Sequence, residues 1–152
     1  MSCPRWDYVE PRHVNSRRGG NTMTRPTPNP TPTEQPFYDA CQRGELLLQH
    51  CDHCGHVVFY PRTHCDACQS DSLSWRPASG KGVIATYTVV RRGVSADFPA
   101  PYVIALIDLA EGPRMMSQII DAEPEALSSG LAVMVDFESW SDNITLPVFR
   151  LE

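Results

Sequence analysis

Cys51, Cys54, Cys65 and Cys68 stand in the pattern C-x2-C-x10-C-x2-C, and no other feature of the chain restricts its folding so tightly. A C-x-x-C pair turns both sulfurs toward one point, so two pairs close a tetrahedral S4 site. Soft thiolates with no redox requirement select zinc. The ten residues between the pairs suffice for two knuckles and a short hairpin. The competing arrangement is a pair of disulfides, which requires an oxidising compartment. The sequence reads without a secretory signal, so a cytoplasmic protein with a metal site is expected. A catalytic zinc keeps an open position and usually a mixed ligand set. Four thiolates leave no position open, so this metal is expected to hold structure.

Charge divides the 152 residues unevenly. Residues 1–33 carry five Arg against Asp7 and Glu10, a net of +3, while the remainder carries 8 basic and 16 acidic side chains, a net of −8. An acidic folded part argues against non-specific nucleic-acid binding, which runs on phosphate neutralisation. No apolar run approaches the ~20 residues needed to cross a bilayer. Two cysteines lie outside the metal pattern. Cys3 is in the N-terminal segment, and Cys41 reads as a small buried apolar residue rather than a nucleophile.

Residues 1–33 read as a disordered Pro/Arg-rich extension, since Thr24–Pro32 alternates Pro with polar residues and favours extended, solvated backbone. Met23 is an alternative start of translation, and an Arg-rich targeting peptide is the competing reading. Residues 34–44 predict a short helix with Thr33 as N-cap, Pro36 in the first turn and Gly44 as the stop; Phe37, Ala40 and Cys41 make its apolar face. Residues 45–76 read as strand, knuckle, strand, knuckle, strand, a rubredoxin-like zinc ribbon. Strands are expected at 45–50 and 57–60, the latter closed by Pro61.

Residues 77–152 change character. Gly80-Lys81-Gly82 reads as a turn. Strands rich in β-branched residues follow at 83–90, 101–109, 114–120, 131–138 and 145–151, with a helical turn at 124–130 between the third and fourth. Pro147 predicts an edge strand for the last of them. This order suits a five-stranded OB-type barrel, with a five-stranded sandwich as the alternative.

Several motifs together resemble one family. Cys51-Asp52-His53-Cys54-Gly55, Tyr60-Pro61-Arg62, Cys65-x-x-Cys68, Trp75 and Ser79-Gly80-Lys81-Gly82 are similar to the zinc-ribbon half of the DUF35 proteins. Pro101–Leu109 with Glu111-Gly112, and Leu146-Pro147-Val148-Phe149, are similar to that family's barrel motifs. The resemblance covers residues 36–151. It implies a mainly β chain: a short helix, a rubredoxin-like zinc ribbon, then an OB-fold barrel. It also implies an accessory role in acyl-CoA metabolism. Such proteins accompany thiolase-like acyltransferases, condensing enzymes and aldolases, or serve as the small partner of MaoC-type enoyl-CoA hydratases. They bridge catalytic subunits and help hold the acyl-CoA. The thiolase's Cys and His belong to the partner, and nothing here matches them. On this reading the ribbon and N-terminal helix dock on the partner, and the chain alone turns over no substrate.

Other constellations carry less chemistry. His50, His53, His56 and His64 crowd the knuckles but are read as exposed ribbon residues, because four Cys satisfy the metal. Asp121 with Glu123, and Glu138 with Asp142, are read as solvated charges without a partnered nucleophile. Ser128-Ser129-Gly130 is no nucleophile elbow, and Lys81 between two glycines is no phosphate loop. Coenzyme A presents phosphates and an adenine, which call for Arg or Lys and an aromatic platform. Arg91 and Arg92 at a strand end, with Phe98 in the loop 93–100, are the candidates for that contact. Arg62 and Trp140, the latter in a polar loop, are candidate interface residues. Two rival functions remain: a single-stranded nucleic-acid binder, which needs a basic groove, and an autonomous thioesterase using Cys41 or a carboxylate.

Overall fold

The computed structural model describes residues 26–95 and 98–152. Cys3, Met23 and most of the expected N-terminal extension lie outside the described residues. From Pro26 to Thr31 the backbone has no regular structure. Helix α1 then runs Gln35–Gln42. Its entry corrects the predicted cap. Thr31, not Thr33, organises the turn: the Thr31 N–H and Oγ1 donate to Glu34 Oε2 at 2.9 and 2.8 Å, and the Glu34 and Gln35 N–H groups donate back to the Thr31 carbonyl. This is half of a T-x-x-E capping box, the Glu34 carboxylate reaching back to the Thr31 N–H, set two residues before Thr33, and the N-cap itself is Glu34. The helix buries Tyr38 as well as the expected Phe37, Ala40 and Cys41.

The ribbon is a three-stranded antiparallel sheet in the order β2-β1-β3, with β1 at Leu47–Cys51, β2 at Val57–Val58 and β3 at Leu73–Pro77. β2 is two residues shorter than predicted, because Phe59 and Tyr60 leave the ladder. Gln49, buried on β1, takes over there. Its side chain accepts from the Arg62 N–H at 2.7 Å and donates to the Arg62 carbonyl at 3.0 Å, imitating the ladder bonds that β2 no longer makes.

The barrel strands are β4 (Lys81–Val90), β5 (Tyr102–Leu109), β6 (Arg114–Ile119), β7 (Ala132–Ser141) and β8 (Ile144–Leu151), with a 3-10 turn at Pro124–Ala126. They close in the order β4-β5-β6-β8-β7, the barrel and not the sandwich. Two predictions fail locally. Lys81-Gly82 is not a turn but the start of β4, paired with Met134 and Val133 of β7. Gly82 is required there, since a Cβ would sit 2.6 Å from Ile107 Cγ2 and 2.9 Å from the Asp108 carbonyl oxygen. Pro147 is not on a sheet edge, because closure places β8 between β6 and β7. The proline is tolerated for a related reason. β6 and β8 share one registered pair, Ile119 with Phe149, and Pro147 lies away from it, where the two strands part. The Ser117 hydroxyl donates to the Pro147 carbonyl across that gap at 2.7 Å.

Leu46 and Leu48 of the ribbon, Phe37, Tyr38 and Cys41 of α1, and Ile84, Ile107, Met115, Val133 and Phe149 of the barrel form one continuous core. α1 packs on β8, β1 and β7. Its apolar face is therefore consumed within the chain, which leaves the polar face, with Asp39 and Gln42, as the side exposed to solvent. A smaller cluster around Cys51, Val58 and Cys65 lies under the metal site. No helix of the described residues is long and apolar enough to cross a membrane.

Candidate metal centre and apolar cleft

The two knuckles are copies of one backbone motif. In the first, the Cys51 N–H donates to the His56 carbonyl at 2.9 Å and the Gly55 N–H to the Cys51 carbonyl at 2.8 Å. In the second, the Cys65 N–H donates to the Ser70 carbonyl at 2.8 Å and the Gln69 N–H to the Cys65 carbonyl at 2.9 Å. Each turn needs a left-handed residue right after its second cysteine. Gly55 supplies it at φ +73° and Gln69 at φ +63°. The repeat brings all four sulfurs within 4.8 Å of one another, with Cys51–Cys68 at 3.5 Å and Cys54–Cys65 at 3.7 Å. A tetrahedron with metal–sulfur bonds of ~2.3 Å has edges of about 3.8 Å, so the cage fits a zinc-sized ion. The four are free thiols rather than the disulfides of the competing reading. Backbone N–H groups aimed at sulfur favour the thiolate. The Cys54 N–H, helped by that of His53, lowers the Cys51 thiol, while the crowding of neighbouring sulfurs raises Cys54 and Cys68, so without a cation one thiolate is favoured at the expense of the others. The Ala67 N–H donates to Cys65 Sγ at 3.4 Å.

The histidines stand apart from this cage. His53, His56 and His64 are exposed, with His56 Nε2 3.3 Å from Asp66 and His64 Nδ1 3.0 Å from the Thr63 hydroxyl. His50 is half-buried on β1, a correction to its expected exposure.

The predicted ligand and interface residues separate. Arg91 and Arg92 are exposed just past β4, and neither guanidinium has an ion pair or hydrogen bond among the described residues. Phe98 packs on Trp140 and Tyr102, ring centroids 5.6 and 6.3 Å apart. Trp140 is not in a loop. It sits on β7, where the register with β8 slips between Ser139 and Ser141. Such a bulge re-aims a side chain, and here the half-buried indole reaches Phe98 and donates from Nε1 to the Pro26 carbonyl at 3.0 Å. Arg62 is held by its backbone, and its side chain is exposed.

Among the described residues, Asp121, Asp108 and Cys41 are held in structural contacts. Asp121 is exposed, as expected of a solvated charge, and Arg150 pairs with both it and Asp136 at the surface. Arg114 grips Asp108 with two bonds of 2.6 and 2.9 Å and holds its carboxyl below the usual range. Cys41 is fully buried, and burial pushes its thiol up to about 12, which suits a core residue and not a nucleophile.

One feature was not predicted from the sequence. Where β6 and β8 part, an apolar cleft of about 290 Å³ opens beneath α1 and the segment after β2. Phe37, Tyr38, Phe59, Tyr60, Phe98 and Trp140 wall it, and β6 and β8 form its floor. The Tyr38 and Tyr60 hydroxyls meet at 3.1 Å. Phe37 was legible on a helix face, but these rings come from separate elements and no spacing links them.

Comparison with known proteins agrees with this architecture. Residues 39–74 match the rubredoxin-like zinc ribbon domain of ChsH2, and residues 75–138 match its C-terminal OB-fold domain. A DUF35 domain-containing scaffold protein of Pyrococcus furiosus is 39% identical over 93 residues, covering 60% of this chain and 68% of that protein. A probable enoyl-CoA hydratase alpha subunit of Thermomonospora curvata is 29% identical over 152 residues, 99% of this chain. The chain spans about half of that relative, 48% of its length. Among solved structures, a chain of an Ltp2-ChsH2(DUF35) aldolase superposes with a TM-score of 0.76 at 28% identity, covering 82% of this chain and 98% of that one. With its four-sulfur ribbon packed on a closed five-stranded barrel, the chain belongs to the DUF35 family.

Proposed function

We propose that this chain is a non-catalytic subunit of an acyl-CoA-processing complex. Its zinc is structural, and its partner is a thiolase-like acyltransferase, condensing enzyme or aldolase. The observation that carries the reading is the likeness to the DUF35 chain of an Ltp2-ChsH2 aldolase, which this chain matches over nearly the whole of that chain. The scaffold-protein relative supports the same role. In this reading Arg91 and Arg92 reach CoA phosphates at the subunit boundary, and the exposed Arg62 side chain contacts the partner. The partner supplies nucleophile and base. A second reading is favoured by the hydratase relative: the small partner of a MaoC-type enoyl-CoA hydratase.

The test is purification of the tagged chain from its native host with metal analysis and identification of co-eluting proteins. A thiolase-like chain with one zinc per small subunit is expected. A hydratase-like chain would move the chemistry to enoyl-CoA hydration. Zinc-loaded protein with no partner, or acyl-CoA turnover by the chain alone, would overturn the accessory role.

A further inference from the structure

The apolar cleft serves neither the metal cage nor the contacts proposed for Arg62, Arg91 and Arg92. Met115 and Val148, 1% and 4% exposed, lie at its floor. Tyr60 and Met116, 40% and 70% exposed, stand at its rim. They are two of the four large hydrophobic side chains most open to water among the described residues. Apolar surface gathered around a concavity marks a binding site more often than scattered exposure does.

We propose that this cleft binds a small, uncharged apolar group, a hydrocarbon chain or fused ring with at most one polar end. Its lining contains no carboxylate, amine, guanidinium or imidazole, so an ion entering would lose hydration without compensation. Its volume of about 290 Å³ compares with the ~150 Å³ of an apolar cavity that takes up benzene. The space therefore suits two ring-sized units and is small for a peptide strand with its side chains. Its hydroxyls are already engaged: Tyr38 with Tyr60, and Ser117 with the Pro147 carbonyl. Apart from the Trp140 N–H, bonded to Pro26, only the Gln118 amide is a further polar group among the lining side chains, so the side chains favour an apolar occupant whose one polar end can meet Gln118.

The test uses the full, zinc-loaded chain without any partner, so it is independent of the complex proposed above. Beta-naphthol, a neutral fused ring with one hydroxyl, is titrated and followed by its fluorescence polarisation. Saturable binding to one site is expected, with the charged analogue naphthoate at least tenfold weaker. Leu146→Trp, which fills the cleft from β8, should weaken naphthol at least tenfold. Met116→Gln, at an exposed position that leaves the core intact, should weaken it severalfold, and Val83→Ser on β4 should leave it unchanged. Absence of saturable binding, equal affinity for naphthoate, or indifference to both cleft variants would overturn the proposal. If the chain binds no naphthol but Met116→Gln abolishes co-purification of a protein, the cleft is a protein-docking surface and the ligand assignment is wrong.

Discussion

Single residues decide whether the knuckles close. Gly55 and Gln69 occupy equivalent left-handed positions, yet only one is glycine. A Cβ at Gly55 would meet nothing within 4 Å, so Gly55→Ala tests backbone conformation alone. It should cost about 1–2 kcal/mol, and Gln69→Gly should gain up to about 1 kcal/mol. Urea denaturation of both variants at equal zinc checks the pair; equal effects would mean that the knuckles are not equivalent. Cys41 gives a pH dependence. Its folded-state value lies at about 12 against an ordinary 9.0, so folding favours the neutral thiol. That contribution is complete below pH 9 and is lost as pH rises toward 12. Cys41→Ala should therefore flatten the alkaline limb of the stability curve by a few kcal/mol, on the order set by ~1.4 kcal/mol per pH unit. Unchanged alkaline slopes in the variant would show that Cys41 titrates normally. The cysteine spacing and the buried role of Cys41 could be read from residue types, because both are local chemistry. The left-handed Gln69 could not, since nothing in its side chain announces that conformation.

Among the elements, β1 carries the most connections. It pairs with β2 and β3, contributes Leu48 to the shared core, ends in the ligand Cys51, and through Gln49 pins the chain at Arg62. Gln49→Leu keeps the volume but leaves the Arg62 N–H and carbonyl without their partners. It should cost about 1–3 kcal/mol, measured as a lower unfolding midpoint with zinc stoichiometry unchanged. Loss of zinc would instead place Gln49 in the support of the metal cage. Strand positions were legible to within a few residues from β-branched runs and turn residues. The errors at Lys81-Gly82, Pro147 and Trp140 share one cause. Each depends on which strand lies alongside, and that is a matter of barrel closure and register rather than local propensity.

Across the whole molecule, the ribbon and barrel share one core through α1, Leu46 and Leu48. Losing the metal should therefore do more than loosen two turns. Cys51→Ser is expected to lose zinc, ribbon structure and partner binding together, with the barrel strands destabilised through the shared core. Circular dichroism and metal analysis during chelator titration check this; full assembly without zinc would count against a structural metal. The sequence by itself determined the four-thiolate site, the strand count and the mainly β class, because ligand spacing and side-chain alternation act over a few residues. The tertiary structure alone decided that Phe98 and Trp140 meet, that α1 is consumed internally, and that an apolar cleft opens between β6 and β8. Those outcomes rest on contacts between residues as far apart as Pro26 and Trp140. Only closure of the barrel, with one registered pair at its β6–β8 seam, brings such distant elements to one place.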